Sequence, residues 1–451
     1  MPTPPRATTL DDAYRTCNHD KPLASDDQRY EDLSLARGDD TRRSIKSRIT
    51  RAEPGEFAHI AFVSHRGAGK TTEILRICDD LKNDYFKYYF EANLELDERH
   101  ITAEDLLLAL AMGLEEHFAQ SDLALPEALV ADVQKWFSEI VTSTTWGKQL
   151  SADLGFATSV GFEVPIFAKL KTELKALLRT EGTYKTQVQE AFRRYPSTLR
   201  QHVNNLLDAA NQRLGEKQLL VVIDNLDRYD PKVVDDLLFK GSRSLQQLRC
   251  HLIVTPPIAL HFKPVSERID QAFEPEQMFA VRLRAQEQPY TAFDPNARGR
   301  KLLLEALDKR MDVGKLIPDR AAQDRLVSAS GGAIRDLLRL VRESIILAHG
   351  AVIDLPTIER AAIRLRSTFR DLINANGWEL TLAKIMRDHR VSSEPACMDV
   401  LYQQLAFKYN GTIWYDVHPL VAELPRCSPR TRSSQRSRRM GPGPRRRSEL
   451  P

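Results

Sequence analysis

The run SHRGAGKTT, residues 64–72, constrains this chain more than any other stretch, because it lies between a strand-like and a helix-like segment. The preceding HIAFVS, from His59 to Ser64, alternates as a strand does, while Ile74, Leu75, Ile77, Cys78 and Leu81 follow at helical spacing. A strand, a glycine-bearing loop and a helix in this order make a cradle for phosphates. Gly67 and Gly69 let the backbone turn its N–H groups inward, and the helix N-terminus adds a favourable dipole. Lys70 is then placed to reach the terminal phosphates of a nucleotide and Thr71 to complete the shell of a Mg²⁺ ion, with Thr72 as a second hydroxyl. His65, Arg66 and Ala68 line the rest of the loop. Ser64 stands where the general pattern G-x-x-x-x-G-K-[ST] has its first glycine. The expected cofactors are ATP and Mg²⁺, although these residues do not separate ATP from GTP.

A second signal comes from the short, continuously apolar run Leu219 to Ile223, the pattern of a parallel strand buried on both faces. It ends in Asp224-Asn225-Leu226-Asp227-Arg228. Open α/β sheets bind ligands beyond the carboxyl ends of their strands, which puts Asp224 beside the phosphate loop as the Mg²⁺-side carboxylate. Asp227, three residues on, is the candidate for orienting the attacking water.

SHRGAGKTT followed by LLVVIDNLDR resembles the AAA-related and STAND-type ATPases, a group that includes KAP and NACHT proteins and origin-recognition-like initiators. The resemblance implies an α/β fold: a doubly wound parallel-sheet P-loop NTPase domain carrying a helical lid, with catalytic roles for Lys70, Asp224 and Asp227. Many AAA proteins follow the strand-end Asp directly with a catalytic Glu, a place held here by Asn225, whereas the D-N-L-D spacing is similar to the STAND and KAP pattern. In the same frame Thr255, at the end of the apolar run that begins at His251, corresponds to a residue that senses the γ-phosphate; equally, the strand can simply end before Pro256-Pro257. SGGAIRDLLRL, residues 330–340, is similar to a second-sensor helix, which makes Arg335 a sensor and catalytic arginine, with Arg339 the alternative. Arg268 and Arg284 are candidates for an arginine offered to a neighbouring subunit. Tyr30, with Arg29 and Leu33, falls in the segment that helps cover the adenine in the resembled group.

With 451 residues, 42% hydrophobic and 28% charged, the chain can bury two or three domains. Its five cysteines form no C-x-x-C and no zinc-ligand spacing with His, which reads as reduced thiols in a cytoplasmic protein. No run approaches the roughly 20 apolar residues that cross a bilayer, so no membrane partner is expected. Residues 426–451 hold nine arginines and one acid, leaving the rest mildly acidic. This tail is too poor in apolar residues to fold alone; it is either a contact for nucleic-acid phosphates or a solvated end.

The expected organisation is a linker and basic helix over 1–50, a P-loop domain over 51–290 with an insertion at 121–215, a helical lid over 291–366, a winged-helix-like module over 367–424 and a disordered basic tail from 425. Within it, Tyr85 to Glu91 reads as a strand, Thr102 as a helix N-cap, 127–141 and 186–214 as helices, 152–170 as a hairpin, and Met278 to Leu283 as the fifth strand. Asn410-Gly411 between β-rich runs signals a hairpin, on which Trp414, Tyr415 and His418 serve either recognition or packing. The function this implies is an ATP-driven conformational switch in signalling or anti-phage defence; its rivals are an ATP-gated DNA-binding initiator or loader and a scaffold that binds nucleotide without turnover. Partners follow accordingly: ATP, a homo-oligomer, and DNA or protein engaged through the module, tail or insertion.

Overall fold

The computed structural model describes residues 4–96, 101–142, 196–239, 244–262, 272–286, 297–410 and 413–424. The expected hairpin at 152–170, the first part of the 186–214 helix, Arg268, Gly411 and the tail lie outside them. The chain divides into two compact units, residues 20–279 and residues 1–19 with 280–451. Helix α1 (Leu10–Thr16), N-capped by Thr9, belongs to the second unit.

The first unit is an α/β layer structure around β1 (His59–Ser64), β2 (Tyr85–Glu91), β3 (Gln218–Asp224), β4 (His251–Val254) and β5 (Glu274–Met278). All pairings are parallel and the order is β2-β3-β4-β1-β5. Helices α2 (Thr41–Thr50) and α3 (Lys70–Asp80) cover one face. Their Ile45, Ile49, Ile74 and Ile77 form a cluster with Ile60 and Phe62 of β1, Leu220 and Val222 of β3 and Ile253 of β4. Because side chains alternate along a strand, Val221 and Ile223 point the other way, where α6 (Pro196–Leu214) packs on β3 and on α4 (Ala103–Gln120). Helix α5 (Glu127–Thr142) packs against α6, so the described part of the expected insertion supplies the second helical layer. Thr102 caps α4 in a reciprocal capping box with Asp105, as its sequence implies. Helix α7 (Pro231–Leu238) follows β3 and starts on a proline behind an Asp230 cap. Parallel strands buried on both faces explain why β3 and β4 read as continuous apolar runs.

The fifth strand differs from expectation. It spans Glu274–Met278, not Met278 to Leu283. As the edge of the sheet among the described residues, β5 pairs with β1 and has no apolar run to advertise it; its polar face meets α2 instead, where Arg48 pairs with Glu274 and Glu276 and Ser44 Oγ donates to Glu276 at 2.5 Å. Pro275 is tolerated there because an edge strand need not donate on both sides. The apolar Phe279-Ala280-Val281 that misled the pattern is buried just past the strand.

The second unit is helical: α8 (Arg298–Asp308), α9 (Arg320–Ala329), α10 (Ile334–Leu347), α11 (Leu355–Asn376), α12 (Glu379–Asp388) and α13 (Pro395–Tyr402). Helix α10 packs against α1 and α11. Residues 366 and 367, where a lid and a further module were expected to meet, lie inside α11, which runs unbroken to a left-handed Gly377 cap. Strands β6 (Ala406–Tyr409) and β7 (Trp414–Val417) pair antiparallel with Tyr409 opposite Trp414, the hairpin foreseen around Asn410. Gly332 has φ 84° and leaves no room for a side chain, since a Cβ would come within 1.9 Å of the Val281 carbonyl oxygen.

Candidate functional site

Chain reversal after β1 depends on two left-handed residues, Gly67 at φ 73° and Gly69 at φ 102°, the latter capping α3. Helix α3 begins at Lys70, so its free N–H groups and positive dipole end face the loop, the arrangement expected for a phosphate cradle. Ser64, the last residue of β1, is buried, and both its carbonyl and its hydroxyl oxygen face Lys70 Nζ, at 3.4 and 3.1 Å. Serine in place of the usual glycine therefore contributes an acceptor for the loop lysine. The third partner of Lys70 is Asp227, whose Oδ2 accepts at 2.6 Å in an ion pair with side-chain exposures of 5% and 11%.

Asp224, at the C-terminal end of β3, is held from several directions. Oδ2 accepts from Thr71 Oγ1 at 2.7 Å and from Tyr89 OH at 2.5 Å; Oδ1 accepts from Thr255 Oγ1 at 3.0 Å and from the Asn225 N–H at 2.7 Å. Burial and the adjoining Asp224 and Glu91 carboxylates push the Tyr89 hydroxyl pKa up, so Tyr89 stays a neutral donor. Thr71 and Asp224 thus converge as hard oxygen donors, which fits Mg²⁺, a cation that takes one or two protein oxygens and completes its shell from phosphates and water. Among the described residues no three His, Cys, Asp or Glu side chains gather as a metal cluster. Thr255 is wholly buried and spent on Asp224.

Around the loop, the chain from residue 23 to 37 lies along α3. The Leu23 N–H donates to Thr72 Oγ1 at 3.2 Å, Tyr30 OH lies 3.1 Å from Glu73 Oε2, and the Arg76 guanidinium stacks 3.7 Å above the Tyr30 ring. Arg37, buried, donates to the Ala68 carbonyl at 2.6 Å and pairs with Glu73 at 3.4 Å, fixing the outer side of the loop. His65 is buried and Arg66 half-buried, with Arg66 Nη2 3.5 Å from the Arg228 carbonyl. Sequence reasoning missed Arg37, Glu73 and Tyr89. Arg37 and Tyr89 lie outside any local motif, but Tyr89 sits in the strand that leads to Glu91, next to Asp224 in the sheet.

Asn225 has φ 67°, a left-handed conformation that Asn tolerates and Glu resists. Its Nδ2 donates to Glu91 Oε2 at 3.4 Å.

The remaining expected residues fall in the second unit. Arg335 occupies the first turn of α10, half-buried, after Ser330-Gly331-Gly332; Arg339, one turn on, is exposed. Arg284 is engaged locally, paired with Asp416 and 5.1 Å over the Trp414 ring. Trp414 stacks on Tyr409 with centroids 4.6 Å apart, and His418, fully buried, caps the turn that follows β7. Those aromatic groups pack the hairpin.

Fold and site together define a doubly wound parallel α/β domain with a P-loop. No family model matches the chain, and neither does any curated protein. Among solved structures it is similar to the Walker-type ATPase paby2304 of Pyrococcus abyssi, with 11% identity, 85% of this chain and 93% of that one covered, and a TM-score of 0.40. No described helix is long and apolar enough to cross a membrane.

Proposed function

We propose that this chain is a Mg²⁺-dependent ATPase that works as a nucleotide-driven conformational switch. The observation that carries the reading is the placement of Lys70 and Thr71 at the open N-terminus of α3, with Asp227 and Asp224 within 2.6 and 2.7 Å of them. Lys70 and the N–H groups of the Gly67–Thr72 loop bind the triphosphate, and Thr71 with Asp224 holds the cation. A Mg²⁺ ion held by Thr71 and Asp224 would supply positive charge against the negative charge that develops on the phosphates. Thr255 fixes Asp224, Arg335 serves as the sensor that reports the terminal phosphate, and Tyr30 and its neighbours shape the base side of the site. Helices α12 and α13 with the β6–β7 ribbon form the winged-helix-like module through which DNA or a protein partner is engaged. A cytoplasmic setting, self-assembly, and a role in signalling or defence belong to the same proposal. Asn225 favours one second reading, a scaffold that holds nucleotide with little turnover.

The test is titration with a fluorescent ATP analogue, followed by hydrolysis assays with and without DNA. Lys70→Ala should lose binding, because the loop has no other side-chain ammonium. Equal affinities for wild type and Lys70→Ala would refute the phosphate-cradle reading.

A further inference from the structure

Asn225 stands where a catalytic acid would be expected, and its side chain is directed to an acid on the neighbouring strand. Three observations bear on that acid. Strands β2 and β3 pair in register with Glu91 opposite Asp224, so both carboxylates leave the sheet at the same level and edge, on strands about 4.8 Å apart. Tyr89, two residues before Glu91 and therefore on the same face of β2, reaches Asp224 Oδ2 at 2.5 Å; that face is turned toward the Mg²⁺-side carboxylate. Asn225, held at φ 67°, donates to Glu91 at 3.4 Å and so offers an amide to the acid rather than an acid of its own.

Asp227 is placed differently. Its Oδ2 takes the Lys70 ammonium at 2.6 Å in a buried pair, a position that makes it the counter-ion of the loop lysine. Glu91 is half-buried at the strand end and, among the described residues, makes no ion pair, which leaves its second oxygen able to meet water.

We propose that Glu91 is the carboxylate that orients and deprotonates the attacking water, that Asn225 is its positioning residue, and that Asp227 serves Lys70 instead. This rests on the ATPase reading given above. In the step, the water oxygen forms a bond to the γ-phosphorus and the bond to the β–γ bridging oxygen breaks, its electron pair leaving with ADP. One water proton passes to Glu91 and from there to solvent. Two carboxylates on adjacent strands thereby divide the work, Asp224 toward the cation and Glu91 toward the nucleophile.

The experiment measures ATP hydrolysis, its pH profile, and affinity for a fluorescent ATP analogue in Mg²⁺ on the full chain. Glu91→Gln should lower kcat about 100-fold or more with affinity changed less than about threefold, the loss expected on removing a general base. It should also remove the acidic limb of the pH–rate profile. Asp227→Asn should lower kcat by less than about tenfold and leave affinity no weaker than wild type. Asn225→Gly keeps the left-handed backbone but removes the amide that holds Glu91, so kcat should fall about tenfold with analogue affinity unchanged, a split that a purely structural asparagine would not produce. Glu91→Gln hydrolysing within about threefold of wild type would overturn the proposal, and so would a 100-fold loss in Asp227→Asn at intact affinity. A wild type that binds the analogue but does not hydrolyse ATP would overturn it while sparing the binding site; a wild type that does not bind at all would instead sink the nucleotide reading beneath it.

Discussion

The Lys70–Asp227 pair invites a double-mutant cycle, because its burial makes the cost of breaking it large and its location makes that cost depend on ligand. With side-chain exposures of 5% and 11% and a 2.6 Å contact, neither charge is solvated in the folded protein. Removing one partner of such a pair leaves an uncompensated buried charge, worth about 3–5 kcal/mol. Asp227→Asn retains an acceptor for Lys70 and belongs at the low end; Lys70→Met strands the carboxylate and also removes the contacts to Ser64. Removing both should restore part of the loss, so the cycle of Lys70→Met, Asp227→Asn and the double variant should yield a coupling of about 2 kcal/mol. The readout is hydrogen exchange of β1 and β3 peptides across a urea series, since a chain of two units need not unfold in one transition. An ATP analogue supplies a substitute anion, so it should stabilise Asp227→Asn more than wild type. A coupling below about 0.5 kcal/mol, the level at which independent sites simply add, would refute the pair's role, as would a tenfold loss of nucleotide affinity in Asp227→Asn.

Two further outcomes follow from other contacts. Tyr89→Phe deletes one donor to Asp224 and should weaken Mg²⁺-supported analogue binding about fivefold, the equivalent of about 1 kcal/mol, while binding in EDTA stays unchanged; equal effects in both conditions would show that Tyr89 acts on the loop generally. His251 accepts the Ala58 N–H at Nδ1, so its Nε2 carries the proton toward Gln218 Oε1, and burial with the neighbouring His59 holds its pKa at about 4, below the usual 6.5. The unfolded imidazole charges below pH 6.5 and the native one does not until about pH 4, so stability present above pH 6.5 is lost as pH falls, by about 2 kcal/mol at pH 5; His251→Gln should show a flatter profile in urea unfolding, and an identical slope would remove His251 as the cause.

Much of the site was legible because its parts are local. Lys70 and Thr71 follow their glycines at a helix start, Asp224 ends an apolar run, and Thr255 ends another; each could be placed at the end of an element without knowing which strands are neighbours. Glu91 shows the boundary of that kind of reading. Its strand, Tyr85–Glu91, was readable to the residue, yet its relation to Asp224 and Asn225 depends on β2 lying beside β3, and strand order leaves no mark on a single sequence. Arg37 was invisible for a similar reason, since a buried arginine becomes intelligible only with Ala68 and Glu73 in view. The misplaced fifth strand reflects a different limit: periodicity detects burial, and an edge strand whose polar face is satisfied by Arg48 and Ser44 has little apolar surface to detect.

Strand order also decides which contacts in the site can change. Strand β4 separates β1 from β3, so the phosphate loop and Asp224 stand two strand spacings apart, about 9–10 Å between backbones, and their side chains meet across that gap at 2.7 Å. Thr255, just past the intervening strand, and Tyr89, from β2 on the far side, grip Asp224 from opposite flanks, while Thr71 and the Asn225 N–H take its remaining acceptor sites. Four donors on two oxygens hold Asp224 in one rotamer, which it cannot leave without losing several bonds at once, and a cation or its bound water would reach the carboxylate by replacing one of these donors. Lys70 is held to Asp227 through one flexible side chain, and Asn225 to Glu91 by one long hydrogen bond. If nucleotide drives a conformational change here, its local origin lies in these two contacts, and Asp224 is the fixed point against which they move.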